Sequence, residues 1–328
     1  MKTELFSSLL SLLHLSWLVS LSADDTTWTQ YKHDSQRSGN ASEHQVTVPL
    51  GLEGTVALDD AVFTSPVVAD GKVFVIDGSG TAHGINVETL QIEWRFPERA
   101  AKSNSNHVSS PAYIDGFLHF GTMDGSYFVL DATTGNPMTE IRTGEPIFSS
   151  PAVANERVYF ATLGSKVYSL EPNGNVLWEW DYVKERLGFG GDRWNGAAWE
   201  MHKENKRLEP VEQFHCSREL AVFENKIVIP TGGTVTWLED QGKSPRFIAS
   251  ISDGYSTLGL SMGERGEVYR QWHRLDNGGT VQIYPLDQLS DGKAVKAGDV
   301  PGTETGWNSM ESLGFSSVSM RDDAVYRC

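Results

Sequence analysis

The sequence predicts an all-β protein, a β-propeller of four-stranded antiparallel blades. Three observations predict it. Segments of the chain repeat with a period of 40 to 45 residues, and each copy carries a two-residue polar turn between short apolar runs. The composition holds 32 Gly and 10 Trp with few long apolar runs. A period near that length with strand content is the span of one propeller blade, and abundant glycine with aromatics goes with short strands and tight turns. The chain has 328 residues, 39% hydrophobic and 21% charged, which is a globular composition large enough to bury a core without staples. With 27 Lys and Arg against 43 Asp and Glu, the net charge is −16. An acidic surface repels phosphate backbones, so no nucleic-acid partner is expected. Two cysteines, Cys216 and Cys328, exclude a disulfide framework and a four-cysteine zinc site.

Residues 1–23 have the character of a signal peptide. Lys2 gives the positive start, Leu9 to Leu21 the apolar stretch, and Ser20, Ser22 and Ala23 the small residues of a cleavage region. Cleavage after Ser22 places Ser20 at the −3 position. The alternative is an uncleaved anchor, but the stretch is shorter than the roughly 20 apolar residues a span needs. No cysteine follows it to take a lipid, and no later segment is apolar enough to span a bilayer. The expectation is an exported mature chain, periplasmic or secreted, without a transmembrane span.

The repeat follows. Thr64-Ser65-Pro66-Val67 through Val75, Ser109-Ser110-Pro111-Ala112 through Phe120, and Ser149-Ser150-Pro151-Ala152 through Phe160 align without gaps, their prolines 45 and 40 residues apart. Each holds two short runs about Asp70-Gly71, Asp115-Gly116 or Asn155-Glu156, a strong hairpin signal. A second hairpin follows each first: Ala82–Val87 with Ile92–Phe96, Tyr127–Ala132 with Met138–Arg142, and Lys166–Glu171 with Val176–Trp180. Two hairpins per copy make a four-stranded blade. Weaker copies occupy Arg218–Ile229, with Glu224-Asn225 as its turn, and Thr257–Leu286, and Ser316–Tyr326 opens a sixth. The expected domain is therefore 24–328, about five blades and part of a sixth. Either the chain is truncated at Cys328, or an N-terminal strand such as the segment around Trp28 completes the last blade.

Two stretches break the period: 183–214, with Gly188, Gly190, Gly191, Trp194 and Trp199, and 287–314, with Gly292, Gly298, Gly302, Gly306 and Trp307. Insertions in repeat proteins collect in loops, often on the binding face, and Trp is enriched at binding hot spots. Trp194, Trp199 and Trp307 are the candidate partner-binding residues. The structural alternative is that these indoles plug gaps between blades.

The segments Ser149-Ser150-Pro151-Ala152-Val153 and Leu130-Asp131-Ala132-Thr133-Thr134-Gly135 resemble the repeats of the pyrroloquinoline-quinone-like (PQQ-like) β-propeller superfamily. The opening Trp28-Thr29-Gln30-Tyr31 through Gly39 does so too. In that superfamily a Trp after the Asp-Ala-x-Thr-Gly turn packs between blades. The resemblance implies that place for Trp94 and Trp178, each under the turn that precedes it, while Thr139 departs from the pattern. It covers residues 28–182 well and 215–328 loosely. It speaks for fold more than function, because quinoprotein dehydrogenases, outer-membrane assembly scaffolds and sensor ectodomains share it.

The dehydrogenases of the superfamily hold their quinone with two adjacent bridged cysteines and a Trp face, and use Ca²⁺ held by carboxylate and amide oxygens. This sequence has no adjacent cysteine pair and no Cys-x-x-Cys-His haem site. There is no His-x₃-His pair, no calcium-loop spacing between Asp287 and Asp299 and no Gly-x-Ser-x-Gly. His215-Cys216 is a two-residue pair better suited to a buried role than to a metal. Ser65, Ser110 and Ser150 recur with the repeat and are structural. No catalytic, cofactor-binding or metal residue is nominated. The expected function is that of a non-catalytic binding or scaffold module for an unknown protein or extracellular ligand. The alternative is a PQQ-dependent dehydrogenase, or a fragment of one, with PQQ and calcium.

Overall fold

The computed structural model describes residues 27–97 apart from 43, 45 and 46, then 109–202, 213–252, 257–274, 278–290, 292–301, 318–321 and 324–327. The leader 1–23, Trp307 and Cys328 lie outside the described residues. Five antiparallel sheets follow one another along the chain. Blade 1 comprises Val67–Ala69, Lys72–Ile76, Ala82–Asn86 and Ile92–Phe96. Blade 2 comprises Ala112–Ile114, Phe117–Gly121, Ser126–Asp131 and Pro137–Arg142. Blade 3 comprises Ala152–Ala154, Arg157–Ala161, Lys166–Leu170 and Val176–Asp181. Blade 4 comprises Ala221–Phe223, Lys226–Thr231, Thr234–Asp240 and Pro245–Ser252. Blade 5 comprises Thr257–Met262, Val268–Arg274, Gly278–Tyr284 and the short Gly298–Asp299. A further hairpin, Val318–Arg321 with Ala324–Arg327, begins beside the inner strand of blade 5.

The turns do what their residues require. Asp70 and Gly71 have φ of 49° and 68°, Asp115 and Gly116 49° and 82°, and Asn155 and Glu156 53° and 57°. Two consecutive positive φ angles match the twist of a two-residue hairpin. In blades 1 to 4 the register slips once between the third and fourth strands, at Gly84/Ile85, Val129/Leu130, Ser169/Leu170 and Trp237/Leu238. A bulge at that place adds twist to the outer edge of each blade.

The core lies between blades rather than within them. Phe74 and Trp94 of blade 1 meet Leu118 and Leu130 of blade 2, and Tyr127 of blade 2 stacks on Phe160 of blade 3 at 3.8 Å. Trp237 of blade 4 packs with Leu260 and Tyr284 of blade 5. The repeated serines join neighbouring blades: Ser65 N donates to Ser110 Oγ at 2.9 Å and Ser110 N to Ser150 Oγ at 3.0 Å. Both expected Trp residues are buried, at 9% and 6% exposure. The turn each covers belongs to the next blade, not to its own. Trp94 Nε1 donates to Ala132 O at 3.0 Å, and Trp178 Nε1 to Asp240 Oδ1 at 3.1 Å. The reason is the twist of the outer strand, which swings its third residue over the neighbouring sheet.

The segment around Trp28 does not complete a last blade. Trp28 exchanges two backbone hydrogen bonds of 2.8 Å with Val68, on the inner strand of blade 1. The chain then touches each blade in turn. Thr29 O accepts from Tyr113 N, Gln30 bonds Val153 N and O through its amide, Ser35 O accepts from Val222 N, and Gln36 O accepts from Met262 N. Arg37 is fully buried and donates to Leu220, Tyr31, Ser150 and Pro151 carbonyls at 2.8 to 3.0 Å. Residues 28–38 thus line the inner strands of all five blades like a central plug.

Part of the 287–314 stretch is sheet. Leu289–Ser290 and Gly292–Ala294 form a hairpin on the outer edge of blade 4, the latter running parallel to Pro245–Ser252. Among the described residues no helix is long and apolar enough to cross a membrane.

Candidate functional site

The 183–214 stretch, which joins blade 3 to blade 4, gives one sector of the loop face its distinct chemistry. Asp181 ends blade 3 and caps the helix Tyr182–Leu187, its Oδ1 accepting from Val183 N at 3.0 Å and Lys184 N at 3.2 Å. Gly188, at φ 69°, closes that helix in the left-handed region. The Arg186 guanidinium lies 3.7 Å over the ring of Phe247, which ties the helix to blade 4. A second helix, Gly196–His202, begins after Asn195, whose Oδ1 accepts from Ala198 N.

Of the three nominated indoles, two are described, and they part company. Trp199 is 2% exposed and sits edge-on to Phe189 and Phe214, at 5.4 and 5.0 Å. It belongs to the core between blades 3 and 4 and is not available as a surface anchor. The physical reason is the helix: it turns the indole inward, where burying an aromatic of roughly 150–250 Å² holds the insertion to the body. Trp194 remains 42% exposed, its ring against Phe214 and His215 at 5.6 and 5.4 Å. Its N–H donates to Glu145 Oε1 at 3.3 Å, so the indole is held rather than loose.

Beneath Trp194 is a buried charge cluster that the repeat pattern gave no reason to expect. Glu145 is 5% exposed and accepts from Thr162 Oγ1 at 2.6 Å. Arg193 is 7% exposed, donates to Gly164 O at 2.5 Å and to the Asp181 carboxylate, and lies 3.5 Å from Glu145 Oε1. Lys166 Nζ lies 4.0 Å from the same oxygen. Two carboxylates and two cations neutralise one another, which makes the cluster a support for the loop. Beside it His215 is half-buried, and burial lowers the pKa of its ring. Its Nε2 is without a hydrogen-bond partner. The neighbouring Cys216 is fully buried in the core between blades 3 and 4, and burial pushes its thiol up to about 12.

Cys216 is a lone buried thiol, and among the described residues no group of three or more His, Cys, Asp or Glu side chains is placed to hold a metal ion.

Comparison with known proteins bears on the fold. The model of the family described as outer membrane protein assembly factor BamB matches residues 101–243. No curated protein matches the chain in sequence. Among solved structures, BamB from Moraxella catarrhalis is similar at 14% identity and a TM-score of 0.54, covering 83% of this chain and 68% of that one. A quinohemoprotein alcohol dehydrogenase from Pseudomonas putida HK5 is similar at 15% identity and a TM-score of 0.57, covering 85% of this chain and 48% of that one. The corresponding enzyme from Comamonas testosteroni is similar at 16% and 0.56, covering 86% and 52%. The chain therefore spans about half the length of these two dehydrogenases. The protein is a β-propeller built of PQQ-like repeats. Its blade 2, blade 3 and much of blade 4 are the part that matches the BamB-like repeat model.

Proposed function

We propose that the protein is an exported, non-catalytic propeller that docks a partner protein on the loop face around Trp194. One observation carries the reading: the 183–214 insertion is anchored by Trp199 and by Arg193, yet leaves the Trp194 indole 42% exposed beside His215. A rigidly supported, half-exposed Trp is the type of residue that dominates protein interfaces. The likeness to an assembly factor supports binding over catalysis, and the apolar stretch 1–23 supports export to the periplasm or beyond. The net charge of −16 favours a neutral or basic partner. Trp307, on the other non-repeat stretch, is a second candidate anchor.

A photo-reactive residue introduced at Asn195, next to the indole, tests this in the native host. A discrete cross-linked partner is expected, and Trp194→Ala should reduce its yield at least about tenfold while unfolding stays cooperative, its midpoint lowered only by the lost packing on Phe214 and the lost bond to Glu145. Undiminished cross-linking in Trp194→Ala removes the proposed site. The second reading, a PQQ-dependent dehydrogenase or a fragment of one, rests on the structural likeness to the two alcohol dehydrogenases. Saturable quinone binding with dye-linked alcohol oxidation in the presence of Ca²⁺ establishes that reading instead.

A further inference from the structure

The plug and the turn that follows it bring three aromatic side chains together. Trp28, His33 and His44 are each half-buried. The indole lies 5.0 Å from the His33 ring and 6.4 Å from the His44 ring. The two imidazoles stand 5.2 Å apart, centroid to centroid, at an interplanar angle of 88°.

The backbone beneath these rings is pinned. Trp28 pairs with Val68 on the inner strand of blade 1. His33 N donates to Gln30 O at 3.0 Å, and Lys32 O accepts from Asp34 N at 2.9 Å and from Gly39 N at 3.1 Å. Lys32 and His33 sit at φ 58° and 75°, in the left-handed region that residues other than glycine rarely enter. Arg37, fully buried, holds the same segment to carbonyls at the starts of blades 3 and 4. His44 N donates to Ala41 O at 3.0 Å, which closes the turn that carries the second imidazole. The two histidines are distant in sequence, and their rings meet because each stem is tied by its own turn.

That separation has a chemical meaning. Two imidazoles on one tetrahedral ion, each nitrogen about 2.0–2.1 Å from it, have ring centroids roughly 5 Å apart. A ligating imidazole uses one nitrogen and leaves the other to hold the ring to the protein. Imidazole nitrogen suits zinc and copper, whereas calcium and magnesium take oxygen. The net charge of −16 raises the local concentration of any cation.

We propose that His33 and His44 chelate one borderline divalent ion of the zinc type, with solvent completing its shell and the Trp28 indole walling one side. The ion would tie the turn beyond the plug back to the plug itself, where Trp28 joins blade 1. It is unlike the calcium of the quinone enzymes, because no carboxylate or amide oxygen takes part. The proposal is independent of the Trp194 reading. Packing alone is the competing account, since edge-to-face rings occur over about 4.5–7 Å without any ion.

Zinc added to the whole chain, first stripped of metal by a chelator, is followed by calorimetry. Saturable binding below about 100 μM is expected, weakened at least about tenfold by His33→Asn and likewise by His44→Gln. Asparagine tolerates the left-handed backbone at position 33, and cooperative unfolding without metal shows that each variant is folded. Zinc should raise the unfolding midpoint of the natural chain more than that of either variant. A measurement on the natural chain needs no variant: zinc should shield His33 and His44 together from acylation by diethyl pyrocarbonate, read by mass spectrometry. No saturable binding up to that concentration, undiminished affinity in either variant, or shielding that omits either ring overturns the proposal. Displacement of the zinc by an equal concentration of calcium does so too, because the ion is then held by oxygen.

Discussion

Replacing Asp240 by alanine should cost more than any indole-to-leucine change at the same interface. Asp240 is 8% exposed at the end of the third strand of blade 4, yet most of its partners belong to blade 3. Its Oδ2 accepts from Arg157 Nη1 at 2.7 Å and Tyr159 OH at 2.8 Å, and its Oδ1 from Trp178 Nε1 at 3.1 Å and Gly242 N at 2.7 Å. Tyr159 is 1% exposed and Trp178 6%, so neither donor finds water when the carboxylate goes. Each orphaned buried donor costs about 1–3 kcal/mol, while the partly exposed Arg157 rehydrates cheaply. Relief of the carboxylate's own burial offsets part of this, which leaves about 3–5 kcal/mol, the range for breaking a buried charged network. Urea unfolding at constant m measures it. A double-mutant cycle with Tyr159→Phe sharpens it: that change should cost about 1 kcal/mol in the natural protein and close to nothing in Asp240→Ala. Equal costs in both backgrounds, or a loss below about 1 kcal/mol for Asp240→Ala, would refute the assignment of Asp240 as the clasp between blades 3 and 4.

Two further tests follow from the same interfaces. His119 is fully buried, its Nε2 bonded to Pro172 O of blade 3 at 2.8 Å, and burial lowers its pKa from 6.5 to about 4. Below pH 6.5 the unfolded chain takes up a proton that the folded chain refuses, so stability should fall by about 3 kcal/mol on this account between pH 6.5 and 4. His119→Gln, which keeps an N–H for Pro172, should lose that share of the acid dependence in unfolding midpoints measured across the window. The second pair compares glycines. Gly116→Ala at φ 82° meets nothing within 4 Å and should cost only the left-handed strain of about 1–2 kcal/mol. Gly135→Ala at φ 73° also strikes the Trp94 ring and should cost a further 1–3 kcal/mol, by roughly the usual price of overpacking. Equal losses in thermal unfolding would show that the indole yields.

The blades were legible because their signals are local. Asp70-Gly71 and Asp115-Gly116 specify a turn with two positive φ angles, and alternation in the flanking runs specifies the strands. Ser65, Ser110 and Ser150 also repeat visibly, and the structure gives the reason, since the hydroxyl of one blade accepts the amide of the blade before it. The site was less legible. Trp194 and Trp199 stand five residues apart in a glycine-rich stretch, and nothing in that spacing says that one faces solvent and the other the core. Glu145 and Arg193 are distant in sequence and meet only once the insertion folds back on blades 2 and 3. Arg37 shows the same limit, because its four carbonyl partners come from three places in the chain.

A ring of near-equivalent blades has a problem of identity that its repeats cannot solve. Any inter-blade surface built from the Ser-Pro turn and the covering Trp fits several neighbours about equally well, so the order of blades must be enforced by something that does not repeat. Residues 28–38 meet that need. They meet blades 1, 2, 4 and 5 through the backbone carbonyls of Trp28, Thr29, Ser35 and Gln36, and blade 3 through the Gln30 side chain, while the Arg37 guanidinium reaches carbonyls at the starts of blades 3 and 4. The backbone bonds add stability alike at the blades they join, and the side-chain contacts of Gln30 and Arg37 specify order, because a blade in the wrong place would leave a buried donor unpaired. The 183–214 insertion breaks the symmetry a second time, on the face. It marks the sector between blades 3 and 4 with Trp194 and so sets it apart from the three other seams among blades 1 to 5. On this account the repeats supply the frame, and the non-repeating segments tell the frame where it begins and which way it faces.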